Sequence, residues 1–219
     1  MTRLPGDRLD HRRAVSDVDD TDGPRVGVLA LQGDVLEHAR ALRAVGLNPL
    51  PVRAVSELDG VAGIVLPGGE STAISRALVR AELLQPLAAR IAAGMPTFGT
   101  CAGLILLSDE LSDGDDPMPR PRGLAVRTRR NAYGSQSASF DARFAVDGVA
   151  GEPMEASFIR APRIEAVLHD RVRVLASVDG VAVAVQQGSI FGLSFHPEVA
   201  ADYRLHALFA ATVRSGAGR

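Results

Sequence analysis

Short apolar runs alternating with helical periodicity constrain this chain more than any other feature. Val26-Gly27-Val28-Leu29-Ala30-Leu31 is almost unbroken in apolar residues, as a strand covered on both faces must be. Asp34 then opens a helical pattern in which Val35, Leu36, Ala39, Leu42 and Val45 recur mostly three or four apart, with Gly46 at the stop. Leu50-Pro51-Val52 reads as a weak second strand, and the run from Val61 to Leu66 as a strong third. After Pro67-Gly68-Gly69, Ser71 is placed to cap a helix running to about Arg80. A second helix follows from about Gln85 to Ala93, with Pro86 in its first turn and Gly94 at its stop. Thr97-Phe98-Gly99 is a short strand leading into Cys101, and Leu104-Ile105-Leu106-Leu107 a helix behind it. Strands and helices in this order predict a parallel α/β sheet.

The second half changes character. The stretch from Asp113 to Arg122 reads as a loop, rich in Asp up to Asp116. Short β runs follow at Leu124 to Thr128, Ser139 to Val146, Ala156 to Ile159 and Val172 to Ser177, then Val181 to Gln186 and Ile190 to Phe195. Asp179-Gly180 and Gln187-Gly188 stand where tight turns belong. An amphipathic helix from about Asp202 to Val213 comes last. The expected architecture is a single three-layer α/β domain, flavodoxin-like, with a mixed, largely parallel central sheet flanked by helices. It spans residues 25–219. Residues 1–24, with four Arg, six Asp and few large apolar side chains, read as a disordered tail.

Composition then removes whole classes of chemistry. All 24 basic residues are Arg, and the absence of Lys excludes a Schiff base, a Walker A phosphate lysine and a Ser-Lys dyad. A net charge of −2 gives no global basic field for nucleic acid. Apolar runs reach about five residues, far short of the roughly 20 that span a bilayer. One Cys can form neither an internal disulfide nor a Cys-rich zinc site, and no apolar leader follows Met1. These features lead us to expect a cytoplasmic protein that uses no metal and no cofactor.

That single Cys lies in Gly99-Thr100-Cys101-Ala102-Gly103, between an apolar strand and an apolar helix. A lone Cys is ordinarily a small buried hydrophobe. Here the G-x-C-x-G pattern matches a nucleophile elbow, whose sharp strand-to-helix turn needs small flanking residues and exposes the nucleophile at the carboxyl end of a sheet. The helix start favours a thiolate, and the Ala102 N–H is placed to help an oxyanion. Of the five His, His11 falls in the tail, His38 reads as a helix residue on a solvated face, His169 stands in a turn beside Asp170, and His206 lies inside the last helix. His196 ends an apolar strand and is followed by Pro197-Glu198. A base is expected there, at the carboxyl end of the sheet, with Glu198 reaching back to orient the imidazole. In Pro67-Gly68-Gly69-Glu70-Ser71, two glycines let backbone approach a ligand closely, while Glu70 and Ser71 suit an amino acid's ammonium and carboxylate.

Pro67-Gly68-Gly69-Glu70-Ser71, Gly99-Thr100-Cys101-Ala102-Gly103 and Phe195-His196-Pro197-Glu198 together resemble a class I, triad-type glutamine amidotransferase. Within that class, Gly27-Val28-Leu29-Ala30-Leu31-Gln32-Gly33, Arg130-Asn131, Ser139-Phe140 and Phe158-Ile159-Arg160-Ala161-Pro162 are similar to the glutaminase subunit of pyridoxal 5'-phosphate synthase. The resemblance runs from about Arg25 to Val213. It implies that Cys101 attacks the side-chain amide of L-glutamine, His196 carries the proton to departing ammonia, and Glu198 orients His196. It also implies an oxyanion hole from the N–H groups of Gly69 and Ala102, and glutamine contacts from Gly69, Glu70, Ser71, Arg130, Ile159 and Arg160. The partner implied is a TIM-barrel synthase subunit that receives the ammonia, builds pyridoxal phosphate (vitamin B6) and, by docking, completes the oxyanion hole. A chain without Lys fits that division of labour, since imine chemistry then belongs to the partner.

One departure stands out. The family pattern Arg-Asn-x-Phe-Gly-Arg-Gln is met here by Arg130-Asn131-Ala132-Tyr133-Gly134-Ser135-Gln136, so Ser135 replaces an arginine. Three other readings share parts of the pattern: a class I amidotransferase or γ-glutamyl hydrolase with a different acceptor, a binding module without turnover, and a cysteine peptidase on a similar elbow. Ser71 and Ile159-Arg160 weigh against the first, and the intact Cys101, His196 and Glu198 against the second. Thr100, where an acidic neighbour would stand, weighs against the third.

Overall fold

The computed structural model describes residues 22–112, 118–130, 140–158 and 160–216. The expected tail up to residue 21, the Asp113–Asp116 segment, Asn131 to Ser139 with Ser135, and Ile159 lie outside the described residues. In chain order the first half comprises β1 (Arg25–Leu29), α1 (Val35–Ala44), β2 (Asn48–Val52), β3 (Gly63–Leu66), α2 (Ser71–Arg80), α3 (Leu84–Ala92), β4 (Thr97–Thr100) and α4 (Ala102–Leu107). The second half comprises β5 (Ser108–Leu111), β6 (Leu124–Arg129), β7 (Phe140–Phe144), β8 (Met154–Phe158), β9 (Arg163–Val167), β10 (Val172–Val178), β11 (Val181–Gln187), β12 (Ile190–Leu193) and α5 (Arg204–Gly216).

The principal sheet has seven strands in the order β10-β11-β12-β4-β3-β1-β2. Strands β2, β1, β3, β4 and β12 run parallel, and β11 and β10 continue antiparallel beyond β12. Chain order reverses direction across the sheet at β1 and β3, the switch point beside which such sheets bind ligands. Both faces are covered. On one, α1 and α5 bury Val35, Ala39, Leu42, Leu205, Phe209 and Val213 against Val26, Val28, Phe98 and Phe191. On the other, α2, α3 and α4 bury Ile74, Leu78, Leu87, Ile91 and Leu106 against Ile64 and Leu66. The near-continuous apolar strands follow from this two-sided burial.

The second half divides in a way its sequence does not show. Strands β10 to β12 join the principal sheet, β5-β6-β9 form a small sheet of their own, and β7-β8 a two-stranded ribbon. The ribbon docks through Phe144 and Phe158, both against Phe195, with ring centroids 5.2 and 5.6 Å apart. Three local expectations are corrected. Glu70, not Ser71, caps α2, because its longer side chain reaches two free amides, with Thr72 N–H at 2.9 Å and Ala73 N–H at 2.6 Å. The last helix starts at Arg204, and Asp202 stays outside it, accepting from the Arg204 N–H at 3.2 Å. His38 is fully buried, not solvated. It stands three residues after Val35 and four before Leu42, on the stripe that α1 turns to the sheet.

Candidate active site

Adjacent parallel strands bring Cys101 and His196 together. β4 pairs with β12 in register from Thr97↔Ile190 to Thr100↔Leu193, and both strands end at the same edge of the sheet. The Cys101 N–H continues this ladder by donating to the Leu193 carbonyl at 2.8 Å. Cys101 itself sits at φ 48°, ψ −102°, in the left-handed region that L-residues avoid, so the chain turns sharply from β4 into α4. The flanking glycines are demanded by space. A Cβ on Gly99 would stand 2.7 Å from the Gly103 carbonyl carbon, and one on Gly103 would stand 2.0 Å from the Leu66 carbonyl oxygen. The elbow expected from G-x-C-x-G is therefore present, with Cys101 partly exposed.

His196 lies against this elbow, near enough to the Cys101 side chain for the two to interact. Its Nδ1 is 2.8 Å from Glu198 Oε1 and 3.3 Å from Asp34 Oδ2, which leaves Nε2 for proton traffic with the thiol. Burial alone would pull the imidazole's pKa down. The bonds to Asp34, Cys101 and Glu198 outweigh it and push the pKa up to about 12. The ring is thereby held as an imidazolium, the partner that favours a thiolate. Glu198 is deeply buried, which disfavours its charge, but His38 and His196 together hold its carboxyl well below the usual range. The ring also explains Gly68, where a Cβ would stand 2.1 Å from His196 Cε1.

Strands β1 and β3 supply the opposite wall. The Glu70 N–H donates to Gln32 Oε1 at 2.8 Å, and a Cβ on Gly33 would stand 1.8 Å from the Gly68 carbonyl oxygen. The Gln32-Gly33-Asp34 turn is thus pressed onto Gly68-Gly69. Gly69 adopts φ 148°, open to glycine alone in practice. Ser71 is buried as the first residue of α2. Burial disfavours the Glu70 charge, yet the Thr72 and Ala73 amides and the nearby Arg130 hold its carboxyl below the usual range. Arg160 stands exposed after β8 with φ 50°. A cavity of about 350 Å³ lined by Asp34, Ser157, His196, Val199 and Ala200 opens at the imidazole.

Cys101, His196, Glu198, Gly69, Glu70 and Ala102 therefore gather at one sheet edge, with Arg130 at its rim. Sequence reasoning missed Asp34, His38, Thr100 and His206. Asp34 reads as a helix opener, and in the structure it is the residue preceding α1 but makes no side-chain cap, its carboxylate turning to His196. Two groups, His38 with Glu198 and His206, and Asp34 with His196 and Glu198, bring ligand atoms within 4.8 Å of one another. A cation would fit that spacing, but the hydrogen bonds among these groups already engage most of their ligand atoms.

The family model described as the SNO glutamine amidotransferase family matches residues 28–215. The chain belongs to that family. Among relatives, the pyridoxal 5'-phosphate synthase subunit PdxT of Frankia alni is 53% identical over 198 residues, covering 90% of this chain and 99% of that one. PdxT of Streptomyces coelicolor is 49% identical over 195 residues, covering 89% and 96%. A crystal structure of a glutamine amidotransferase superposes with a TM-score of 0.80 at 38% identity, covering 86% of this chain and 98% of that one. A more distant glutamine amidotransferase, from Thermotoga maritima, shares the fold at 14% identity and a TM-score of 0.55, covering 88% and 96%. An α/β domain with a mixed, mostly parallel sheet flanked by helices is thus common to this chain and its amidotransferase relatives.

Proposed function

We propose that this chain hydrolyses L-glutamine to glutamate and ammonia through a thioester on Cys101, and passes the ammonia to the synthase subunit of a pyridoxal 5'-phosphate synthase. The observation that carries this reading is His196, set against Cys101 and hydrogen-bonded to Glu198, in a chain of this family. The Cys101 thiolate attacks the carboxamide carbon, and negative charge develops on the carboxamide oxygen. The amide N–H groups of Gly69 and Ala102 are the donors assigned to that oxygen. The His196 imidazolium then protonates the leaving nitrogen, ammonia departs, and the neutral imidazole activates a water that cleaves the thioester. Glu198 keeps Nδ1–H oriented throughout, the third role of a triad.

Gly69, Glu70, Ser71, Arg130, Ile159 and Arg160 are the residues assigned to hold glutamine. Arg130 is near enough to the Glu70 carboxylate to help lower its pKa, so the assigned contacts include one cation and one anion, as the two charges of an α-amino acid require. The proposed acceptor is a TIM-barrel synthase subunit, and the proposed compartment is the cytoplasm. Among the described residues no helix is long and apolar enough to cross a membrane.

The test is glutamate release from glutamine, by the chain alone and in the presence of the TIM-barrel partner. Strong stimulation by the partner, abolished by Cys101→Ala while folding and docking persist, is the expected result. Turnover retained in Cys101→Ala would remove the nucleophile assignment, and full activity without the partner would point to a free-standing hydrolase.

A further inference from the structure

Behind the triad lies a buried polar chain that the mechanism above does not use. His38 Nε2 is 3.3 Å from Glu198 Oε1 and 3.0 Å from Thr100 Oγ1. The Thr100 hydroxyl donates in turn to Glu198 Oε1 at 3.5 Å. On its other side, His38 Nδ1 is 3.2 Å from His206 Nε2. His38, Thr100 and His206 are all 0% exposed, and they come from α1, β4 and α5. The four groups therefore connect three elements to the one carboxylate that orients the base.

The proton positions follow from what each atom faces. Were His38 protonated on Nδ1 alone, its Nε2 lone pair would point at the Glu198 carboxylate. His206 would then have to accept through Nε2 and carry its proton on Nδ1. That Nδ1 is buried and has no hydrogen-bond partner among the described residues. An N–H stranded there costs the full desolvation of a donor. With the opposite arrangement the His206 Nε2–H donates to His38 Nδ1, and the His38 Nε2–H donates to Thr100 and Glu198. Only a bare lone pair is then left on His206 Nδ1. Burial, the largest cause, lowers the pKa of His206 to about 3, which keeps it neutral as this arrangement needs.

We propose that His38 is a positioning residue of the triad, holding the Glu198 carboxylate through its Nε2–H, and that His206 fixes the tautomer in which it does so. This rests on the glutaminase reading of the site, which uses Glu198 to orient His196. Glu198 Oε2 has no hydrogen-bond partner among the described residues, so the carboxylate's anchorage falls on Oε1. Of the groups at Oε1, His196 moves protons during turnover and Thr100 is at the long limit. His38 is the donor that can stay constant. The other charged groups near this chain are Asp34, across His196, and Asp202, whose charge reaches His206; the Tyr203 ring stands 6.0 Å from His206.

Side-chain length separates this role from packing. Glutamine in place of His38 puts an amide N–H near the site of Nε2, whereas asparagine puts one near Nδ1, where it meets His206 but not Glu198. The experiment compares wild type, His38→Gln, His38→Asn and His206→Leu, each assembled with the synthase subunit, for glutaminase kcat and KM from about pH 5 to about pH 9. His38→Asn should lose about 10–100-fold in kcat with KM within about twofold, and its acidic limb should move up by about one pH unit. His38→Gln should keep kcat within about threefold of wild type, and His206→Leu should fall between the two. Equal kcat and equal acidic limbs in His38→Gln and His38→Asn would overturn the proposal, as would a wild-type profile in His206→Leu. A second readout needs neither glutamine nor partner. Because Cys101 is the chain's single cysteine, its alkylation by iodoacetamide reports this site alone. At about pH 7 alkylation should slow about fivefold in His38→Asn and stay near wild type in His38→Gln. If wild type releases no glutamate, the glutaminase reading falls, yet the alkylation contrast still decides the role of His38; equal rates would overturn it.

Discussion

The two walls of the site are built differently. Cys101, His196 and Glu198 lie just past the ends of two hydrogen-bonded strands, and their wall is locked from behind by buried side chains. The wall assigned to glutamine is more open: Gly69, Glu70 and Arg160 are exposed, and the Glu70 N–H is held by Gln32 from a neighbouring bend. Bond making needs atoms held to a fraction of an ångström, and buried side chains bonded to one another deliver that. Admitting and releasing a substrate needs surface that can give, and turns deliver that. The difference is one between a wall where position is everything and one where charge and reach suffice.

Three experiments press on this contrast. The largest effect should come from Gly68→Ala, which leaves both walls' charges intact but places a methyl 2.1 Å from His196 Cε1. The imidazole must shift, and about 10²-fold loss in kcat with little change in KM is expected from such misplacement. A variant with wild-type kcat would show that the rigid wall is not rigid. Next, Arg160→Ala should raise the apparent KM for glutamine by about tenfold, the worth of one charge-assisted contact, while kcat holds. An unchanged KM removes Arg160 from the glutamine wall. The smallest effect concerns stability. In a Cys101→Ala background, His196 keeps its bonds to Asp34 and Glu198, two of the contacts that raise its folded pKa. Its stabilisation should be complete below about pH 6.5 and decline as pH rises, by at most about 1.4 kcal/mol per pH unit. Denaturant unfolding of Cys101→Ala against Cys101→Ala/His196→Gln measures it, and a difference that grows with pH would reverse the assignment of His196 as the charged group.

How far the sequence reaches follows the same division. The elbow was legible because its glycines answer a local steric demand, and Glu198 because it stands next but one to the His196 it serves. Strands β1, β3 and β4 were legible as apolar runs. Strands β5 and β9 were not, since their alternation is short and their exposed sides carry Glu110, Arg163 and Glu165. The sorting of the later strands into three sheets depends on which edges are free once β12 is seated, and that is a tertiary matter. His38 was misread although its spacing from Val35 and Leu42 placed it on the buried stripe. A polar side chain there is tolerated because partners 62, 160 and 168 residues away complete its bonds.

The place of β12 in the sheet has a consequence for synthesis. It fills the slot between β4 and β11, so β4 presents a bare edge until about residue 193 has emerged. A ribosome-bound chain that already contains Cys101 therefore has an unsealed sheet and a thiol without His196 beside it. Sealing that edge, which protects the growing polypeptide from sticking to its neighbours, is the same event that draws the imidazole up to the sulfur. Reactivity at Cys101 thus becomes a timestamp: it should rise only when the last parallel strand has locked in, and it can be used to clock the final step of folding.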